Sequence, residues 1–318
     1  DPTDDVVDQG LHAWIGDSPG FRMSNSSGKN GRHIQIFRRG KYGAFRCLLS
    51  IREHELYLPS HPRERTSFMN ITGNTILITG GGTGIGRALA EALHARGNHI
   101  VITGRREAVL KETAAANPGM AWAVLDVDDA GAIRAFCEQV TKHYPGLNGV
   151  ILNAGIMQAE DLTADPLDLA TAEAMIATNL LGPIRLTAGL LAHLKAQPSA
   201  FVMTVTSGLA FIPLTATPTY NATKAAMHSW SISLRHQLRH TSVEVLELAP
   251  PAVATDLMPG HAESPNSMPL ADYIAEVMDL IERGDTPRGE ILVERVKPLR
   301  HAETSGNWDT VFAALNGR

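Results

Sequence analysis

The sequence predicts an α/β protein with a doubly wound parallel sheet of about seven strands and helices on both faces. From residue 69 onward, short runs rich in Val, Ile and Leu alternate with longer stretches of helical period, the pattern of repeated strand–helix units. The first run, 75–79, stops at a glycine cluster, and a helical pattern begins directly after it. The chain has 318 residues, 44% hydrophobic and 19% charged, so it is long and apolar enough to bury a core.

Composition and charge narrow the class of protein. The net charge is −5 and the pI about 6.2, and no basic run is interleaved with aromatic residues, so we expect no nucleic-acid partner. No uninterrupted apolar run approaches the length of a membrane span, so we expect no membrane segment. The two cysteines, Cys47 and Cys137, form no CxxC motif or Cys/His cluster. This argues against a disulfide framework or a metal site and favours a cytoplasmic location.

Residues 1–68 differ from the rest of the chain. They carry Gly, Ser, Arg and His without a sustained period, and only 45–58 is apolar enough to order. Because Met69 stands shortly before the first predicted strand, we predict that it is the natural start. Residues 1–68 are then a disordered extension or a non-native leader, and 69–318 form one catalytic domain. The alternative is a small accessory segment, and limited proteolysis that leaves a stable core from about residue 69 would favour the leader.

Each predicted strand is a short apolar or β-branched run bounded by turn residues. In chain order the strands are 75–79, 99–103, 121–125, 149–152, 200–205, 243–248 and 290–293. Each predicted helix is a longer stretch with apolar residues at helical spacing. In chain order the helices are 85–96, 107–116, 130–143, 166–180, 183–195, 219–240 and 269–283. Since ligands of such sheets bind at the carboxyl ends of the strands, site residues are expected there.

The glycine cluster after the first strand predicts a phosphate site. A strand, a tight turn and a helix start place free backbone N–H groups and the positive end of a helix dipole at one point. The spacing T-G-x-x-x-G-x-G over 79–86 fits neither G-x-G-x-x-G nor a P-loop, since Arg87 stands where the P-loop lysine must be. The expected contact residues are Gly80, Thr83, Gly84, Ile85 and Gly86. The alternative is a glycine-rich turn with no ligand.

The residues after the second strand bear on the choice of cofactor. A protein that prefers NAD has a carboxylate here for the ribose 2′-hydroxyl, whereas this chain has Gly104 followed by Arg105 and Arg106. A guanidinium can pair with a 2′-phosphate through two hydrogen bonds, so Arg105 favours NADP(H) over NAD(H). The alternative is that both arginines are solvated residues that open a helix.

A serine, a tyrosine and a lysine form the strongest catalytic pattern. Tyr220 and Lys224 are one turn apart on a predicted helix, and Ser207 follows the fifth strand. Y-x-x-x-K alone is common as an ordinary surface pair. Together with Ser207 and the glycine turn it resembles the short-chain dehydrogenase/reductase (SDR) family in its short form. The resemblance covers 69–318 and implies a Rossmann-type fold and an NAD(P)-dependent interconversion of a carbonyl and a secondary alcohol.

Carbonyl reduction needs these residue types. The nicotinamide supplies a hydride, and the developing alkoxide needs a proton. A phenol with its ordinary pKa of roughly 10 matches neutral pH poorly, and we expect the ammonium of Lys224 to lower that pKa. Tyr220 is therefore the expected general acid/base and Ser207 the group that orients the carbonyl oxygen, and no metal is needed.

The resemblance assigns further residues to the site. It implies that Asp126 and Val127 lie along the adenine, although Asp126 could equally cap the following helix. It implies that Asn179 holds a water that links Lys224 to solvent, and that Tyr220 and Lys224 also contact the cofactor. The other residues that it places at the cofactor are Asn153, Ala154, Gly155, Pro250, Val253 and Thr255.

Two positions depart from the pattern of the family. Leu152 stands where the family often has Asn, and Pro251 stands where it usually has Gly. Because proline fixes φ and removes an N–H, the entry to the substrate loop should be stiffer than usual. Pro250-Pro251, with 268–270 and 290–300, is similar to a bacterial subgroup labelled after teichoic-acid D-alanylation, and this label names no substrate.

The sequence gives weaker indications of the substrate and of the oligomeric state. A small-molecule carbonyl or alcohol should be enclosed by 156–158, 208–213 and 257–268, which are mostly apolar, with Gln158, His261 and Glu263 as possible polar contacts. The helices 183–195 and 219–239 carry apolar residues beyond one stripe. The family commonly pairs these helices between subunits, so the resemblance implies a homodimer or homotetramer, whereas burial within one chain is the alternative.

Two rival functions remain at this point. The first is a catalytically silent sensor that binds a dinucleotide, against which the intact Ser207, Tyr220 and Lys224 argue. The second is an epimerase or dehydratase of the extended SDR type, against which the glycine spacing and the short C-terminal part argue. Turnover that consumes external NADPH would separate all three.

Overall fold

The computed structural model describes residues 21–28, 31–40, 43–51 and 70–318, with 167, 261 and 318 excepted. Contacts divide the chain into two units, 1–66 and 67–318, which are described separately.

The N-terminal unit contains a three-stranded antiparallel sheet. Its strands are β1 (Phe21–Gly28), β2 (Gly31–Gly40) and β3 (Gly43–Ile51). Gly28 pairs with Gly31 and Gly40 pairs with Gly43, so glycines flank both reversals of direction. The sequence predicts no regular structure here because the apolar–polar alternation is weak, and the paired glycines are the turn signal that this prediction underweighted. That residues 1–68 are a non-native leader stays a prediction.

The larger unit is built on a seven-stranded parallel sheet. Its strands are β4 (Thr75–Thr79), β5 (His99–Gly104), β6 (Ala121–Val124), β7 (Leu147–Leu152), β8 (Ala200–Val205), β9 (Val243–Leu248) and β10 (Glu290–Ile291). They lie in the order β10-β9-β8-β7-β4-β5-β6, so the winding direction reverses between β4 and β7. Ligands of such sheets bind in the crevice at this reversal. The predicted Rossmann-type architecture is confirmed.

Helices cover both faces of this sheet. They are α1 (Gly84–His94), α2 (Glu107–Ala116), α3 (Ala130–His143), α4 (Ala170–Ile176), α5 (Gly182–Ala196), α6 (Pro218–Leu238), α7 (Leu270–Arg283), α8 (Lys297–His301) and α9 (Trp308–Leu315). A hydrophobic core lies on each face of the sheet, and successive residues of β4 point into opposite cores. Ile76 packs in the cluster that includes α1 and α7, and Leu77 packs in the cluster that includes α3 and α5. Two-sided burial explains why the strands are continuous apolar runs.

The segment between β7 and β8 differs from its prediction. The helix predicted over 166–180 begins only at Ala170, whose N–H donates to the carboxylate of Asp168 at 2.9 Å. It continues through a π-turn, Ala177–Leu181, directly into α5. The π-turn contains Asn179, and such turns are frequent at functional sites.

This continuous helical stretch, Ala170–Ala196, is long and apolar enough to cross a membrane by length and composition, with a mean hydropathy of 1.3. A core helix of a globular protein passes the same test. Its residues Leu186, Leu190 and Leu194 are fully buried in the core beneath the sheet, which accounts for the apolar composition of this face.

The C-terminal region also departs from the prediction. The last strand ends at Ile291, and the short helices α8 and α9 follow, each too short for a helical period to be recognised in the sequence. Just after α9, Asn316 accepts from the Thr215 N–H at 2.7 Å and donates to the Pro213 carbonyl at 3.1 Å. The C-terminus is thereby fastened to the loop that precedes α6.

Candidate active site

The glycine turn forms a tight corner between β4 and α1. Gly80 and Gly84 have φ of 66° and 55°, the left-handed region that favours glycine. Thr83 occupies the N-cap in an extended conformation, and among the described residues no side chain caps α1. The N–H groups of its first turn are therefore left for an anionic ligand. This geometry fits a dinucleotide pyrophosphate bound by Gly80, Thr83, Gly84, Ile85 and Gly86.

A methyl group at Gly86 would disrupt this corner. A Cβ there would overlap the carbonyl oxygen of Gly80 and the side-chain nitrogen of Asn153. We expect Gly86→Ala to lower the free energy of unfolding by about 1–3 kcal/mol and to abolish dinucleotide binding, because the backbone must shift. Thermal unfolding and nicotinamide fluorescence measure both effects. In the matched control, Gly146→Ala, the new Cβ lies 4.0 Å from the nearest atom, Thr75 Oγ1. Equal behaviour of the two variants would contradict the steric account.

The basic residues after β5 flank the same corner. Arg105 and Arg106 are exposed, and Arg106 Nη2 donates to Thr83 Oγ1 at 3.3 Å, which places one guanidinium against the glycine turn. The prediction chose Arg105 of the two, whereas the structure ties Arg106 to the turn. A sequence pattern alone does not distinguish adjacent arginines at the start of a helix.

After β6, Asp126 is exposed and its carboxylate accepts from the Asp128 N–H at 3.1 Å. The alternative that Asp126 caps the next helix is wrong. Asp129 caps α3 and accepts from Gly131 and Ala132, and these two backbone hydrogen bonds lower the pKa of Asp129. Val127 is a core residue, 7% exposed.

The end of β7 is bonded to the end of β4. Thr79 Oγ1 accepts from the N–H groups of Asn153 and Ala154, each at 3.0 Å, and Asn153 Nδ2 donates to the Thr79 carbonyl at 3.0 Å. A Cβ on Gly80 would lie 3.0 Å from the Ala154 Cα. The residues 153–155 thus form the wall of the crevice at the switch point, where the SDR resemblance expects the cofactor.

Ser207, Tyr220 and Lys224 converge beyond β8. Ser207 directly follows this strand, and its hydroxyl accepts from the Leu209 N–H at 3.1 Å. The same hydroxyl acts on the Tyr220 phenol and lowers its pKa. Tyr220 and Lys224 lie on one face of α6, with Lys224 Nζ 5.5 Å from the centre of the Tyr220 ring. Lys224 Nζ also donates to the Val205 carbonyl at 2.9 Å. The chain therefore brings the three predicted residues into one buried cluster.

Asn179 borders this cluster from the π-turn. Its Oδ1 accepts from the Ile156 N–H at 2.8 Å, and its Nδ2 donates to the Ile156 carbonyl at 2.9 Å and to Thr223 Oγ1 at 3.2 Å. A Cβ on Gly155 would lie 3.3 Å from Asn179 Oδ1 and 3.6 Å from Lys224 Nζ. The absence of that Cβ leaves Asn179 and Lys224 facing the same small space.

Burial governs the proton affinities at this site. It raises the pKa of Tyr220 to about 12, against the effect of the Ser207 hydrogen bond, and it lowers the pKa of Lys224 to about 8. The expected lowering of the Tyr220 pKa by Lys224 is therefore not what this geometry produces. The physical reason is that Lys224 lies over the ring and donates to a backbone carbonyl, while desolvation penalises the phenolate.

The residues after β9 close the crevice opposite the glycine turn. The Pro250 carbonyl accepts from the Gly208 N–H at 2.8 Å, and Val253 is buried and forms a bridge with Met268. Thr255 faces the glycine turn, because its Cγ2 would lie 3.5 Å from a Cβ on Gly84. Pro251 leaves these contacts intact.

An apolar cluster includes the Tyr220 ring. Its members are Met157, Met175 and Tyr220, packed against Ile156, Leu209, Leu214 and Met258. Gln158 and Glu263 are exposed, and His261 lies outside the described residues. The three predicted wall segments each contribute to this cluster or lie beside it.

The sequence reasoning missed residues that support the cluster from behind. Thr206 precedes Ser207, Glu247 is a fully buried carboxylate on β9, and His228 follows Lys224 by one helical turn. Two signals were present: a lone acid inside an apolar strand, and a histidine at the next i,i+4 position. Neither indicates its partner without the fold.

Comparison with known proteins assigns the family. Residues 74–265 match the family model described as short chain dehydrogenase. The chain therefore belongs to the short-chain dehydrogenase/reductase family, and it is an oxidoreductase of that family.

Individual relatives agree with this assignment. The chain is 41% identical to an uncharacterized oxidoreductase, DltE, of Bacillus subtilis, over 78% of this chain and 98% of that protein. It is 30% identical to sulfoacetaldehyde reductase 2 of Chromohalobacter salexigens, over 67% and 82% of the two chains. A short chain dehydrogenase from Burkholderia cenocepacia, solved in complex with NADP, shares the fold with a TM-score of 0.67 at 21% identity, over 78% and 99% of the chains.

Proposed function

We propose that this oxidoreductase uses NADP(H) to interconvert a carbonyl and a secondary alcohol, with Tyr220 as general acid/base. The observation that carries the proposal is the buried contact of Ser207, Tyr220 and Lys224 beside the crevice at the switch point. A hydroxyl that orients a carbonyl oxygen and a phenol that donates a proton are the groups that carbonyl reduction needs from the protein.

The raised pKa of Tyr220 indicates which protonation state the phenol has at neutral pH. A phenol with a pKa of about 12 holds its proton at neutral pH and is ready to donate it to the oxygen of a carbonyl. Ser207 would hold that oxygen, and Lys224 would return the proton to Tyr220 through the space shared with Asn179. When bound, the nicotinamide supplies the hydride. At neutral pH Tyr220 is therefore in the protonated form that carbonyl reduction needs.

The preference for NADP(H) rests on the two arginines after β5. In place of the carboxylate typical of NAD-binding proteins, the chain offers the guanidinium groups of Arg105 and Arg106 near the glycine turn. A 2′-phosphate would be paired by them and a 2′-hydroxyl would not. The similar fold solved with NADP supports this choice.

We expect Arg105→Ala to weaken NADPH binding by about 10- to 100-fold and to leave NADH binding unchanged, because a charge-assisted hydrogen bond to the 2′-phosphate is lost. Titration of nicotinamide fluorescence measures both affinities. Arg106→Ala, studied in parallel, shows how the two guanidiniums share the phosphate, and Arg134→Ala on the exposed side of α3 is the control. Wild-type protein that prefers NADH would contradict the assignment.

The apolar cluster around Tyr220 suggests the substrate class. Met157, Leu214 and Met258 carry no charge that could bind a charged substrate, so we propose an uncharged carbonyl compound with an apolar substituent. The similar sulfoacetaldehyde reductase has by its name an anionic substrate. A panel that pairs apolar aldehydes and ketones with sulfoacetaldehyde, followed by loss of NADPH absorbance, tests the proposal. Consumption of added NADPH also excludes a silent sensor and an epimerase that recycles its cofactor.

We further propose a homodimer or homotetramer formed through α5 and α6. Most apolar residues of these helices are buried within the chain, including Leu186, Leu190 and Met227. Ile232 on α6 and Leu181 before α5 remain 47% and 38% exposed and are the candidates for a subunit contact. Sedimentation that shows only monomer would remove this proposal.

A further inference from the structure

A hydrogen-bonded glutamate and histidine lie directly behind the catalytic cluster. Glu247 on β9 is fully buried, and His228 Nδ1 lies 2.9 Å from each of its carboxylate oxygens. Because a carboxylate only accepts hydrogen bonds, we assign the Nδ1–H as the donor. Thr206 Oγ1 donates to Glu247 Oε1 at 2.7 Å. A buried carboxylate is costly to desolvate, and the hydrogen bonds from Thr206 and His228 offset that cost.

The contacts of Glu247 join the two elements that carry the catalytic cluster. Thr206 immediately precedes Ser207 at the end of β8, and its own N–H donates to the Leu248 carbonyl at 2.8 Å. His228 lies on α6, one turn beyond Lys224. Glu247 therefore bonds to the strand end that presents Ser207 and to the helix that presents Tyr220. The bond from Thr206 is buried and the bond from His228 is part-buried, and a hydrogen bond is stronger where water is excluded.

Other charged groups approach this pair from the neighbouring elements. Glu290 on β10 is the register partner of Glu247, is 5% exposed, and accepts from Arg300 at 2.7 and 2.9 Å. The Arg300 guanidinium stacks on Phe211 at 4.9 Å, and Phe211 meets the His228 ring edge-on at 4.9 Å. Two buried glutamates thus lie side by side, and of the two only Glu247 is bonded to the residue before Ser207.

We propose that Thr206 and Glu247 are positioning residues that, with His228, hold the Ser207 hydroxyl in place beside the Tyr220 phenol. The bond from Thr206 Oγ1 to Glu247 fixes the side-chain torsion of Thr206. Together with the backbone hydrogen bonds of Thr206 and Gly208, it fixes the orientation of Ser207, which lies between them. Without this bond, Ser207 is held only by the neighbouring backbone bonds and by the Leu209 N–H, and we expect its hydroxyl to shift from the phenol. The inference rests on the proposed function only in giving this contact a catalytic purpose.

The test reads the Tyr220 phenol itself and needs neither cofactor nor substrate. The full chain is prepared with difluorotyrosine, whose phenol ionises at lower pH than tyrosine, and ¹⁹F NMR follows the titration of Tyr220, assigned with Tyr220→Phe. Ser207→Ala defines the full effect: because the Ser207 hydroxyl lowers the pKa of Tyr220, its loss should raise this pKa. Thr206→Val, which removes the hydroxyl at constant volume, should raise it by at least half as much.

Three matched variants separate positioning from general loss of stability. Thr206→Ser keeps the hydroxyl and should titrate as the wild type. Glu247→Gln, which leaves one acceptor oxygen for two donors, should raise the pKa of Tyr220 in the same sense as Thr206→Val. Glu290→Gln breaks an equally buried pair and should destabilise the protein without moving the titration of Tyr220.

The inference is overturned by several distinct results. A wild-type titration in Thr206→Val, an equal shift in Thr206→Ser, or an equal shift in Glu290→Gln would each show that the Thr206–Glu247 bond does not position Ser207. An unchanged titration in Ser207→Ala would do the same. NADPH binding is measured on the same samples, so a protein that fails to bind NADPH but shows the expected shifts refutes the proposed function alone.

Discussion

Tyr220→Phe is expected to reduce the rate of carbonyl reduction by about 10²–10⁴-fold while NADPH binding stays at the wild-type level. The substitution removes one hydroxyl and keeps the ring, which is 5% exposed and packed among Met157 and Met175. The fold and the cofactor crevice should therefore persist. The nearest other hydroxyl, Ser207, cannot replace the phenol as proton donor, because an aliphatic hydroxyl gives up its proton far less readily.

The measurement pairs loss of NADPH absorbance with a carbonyl compound from the panel and nicotinamide fluorescence for binding. Tyr144→Phe is the matched control, since Tyr144 packs against the His99 ring at 5.3 Å, at the opposite ends of the strands. A Tyr220→Phe variant that reduces its substrate at a rate near that of the wild type would remove Tyr220 from the mechanism.

The same phenol should impose opposite pH dependences on the two directions of the reaction. Alcohol oxidation needs Tyr220 as a base, and its pKa of about 12 means that the phenolate is scarce at neutral pH and increases as pH rises. We therefore expect the oxidation rate to climb with pH up to the limit of stability, while reduction is fastest where the phenol is protonated.

The fold and the catalytic residues could largely be predicted from the sequence, because the patterns that indicate them are local. A strand, a glycine turn and a helix lie within residues 75–94, and their periods can be recognised without knowing any partner. Tyr220 and Lys224 share one helical turn, so their proximity follows from the helix period alone. Ser207 could be added to them because it follows a strand, and the carboxyl ends of parallel strands meet at one edge of the sheet.

The rest of the site depends on contacts between distant segments. Glu247, His228 and Thr206 come from β9, α6 and the end of β8, and only the sheet order places them together. The direction of the Tyr220 pKa shift could not be predicted from the sequence either, because it depends on how deeply the phenol is buried. The π-turn at Asn179 has no sequence period of its own, so the sequence predicts an ordinary helix boundary near residue 180.

Lys224→Met is expected to abolish turnover and, unusually for a substitution at an active site, to increase the stability of the protein. Burial lowers the pKa of Lys224 from its ordinary 10.5 to about 8, so the folded state disfavours the ammonium that the unfolded chain accommodates freely. This difference corresponds to about 3 kcal/mol of unfolding free energy at neutral pH. Loss of the hydrogen bond to the Val205 carbonyl offsets about 1 kcal/mol of it.

The pH dependence provides the test with a definite sign. Below about pH 8 both states bind the proton, and the folded state carries the whole cost of the buried ammonium. Between 8 and 10.5 only the unfolded chain keeps the proton, so wild-type stability should rise with pH across this interval relative to Lys224→Met. Denaturant unfolding of both proteins at pH values below 8 and near 10 measures the difference, with the exposed Lys195→Met as control. Equal pH dependence of wild type and Lys224→Met would mean that burial does not lower the pKa of Lys224, and would remove the basis for its exchange of a proton with Tyr220 near neutral pH.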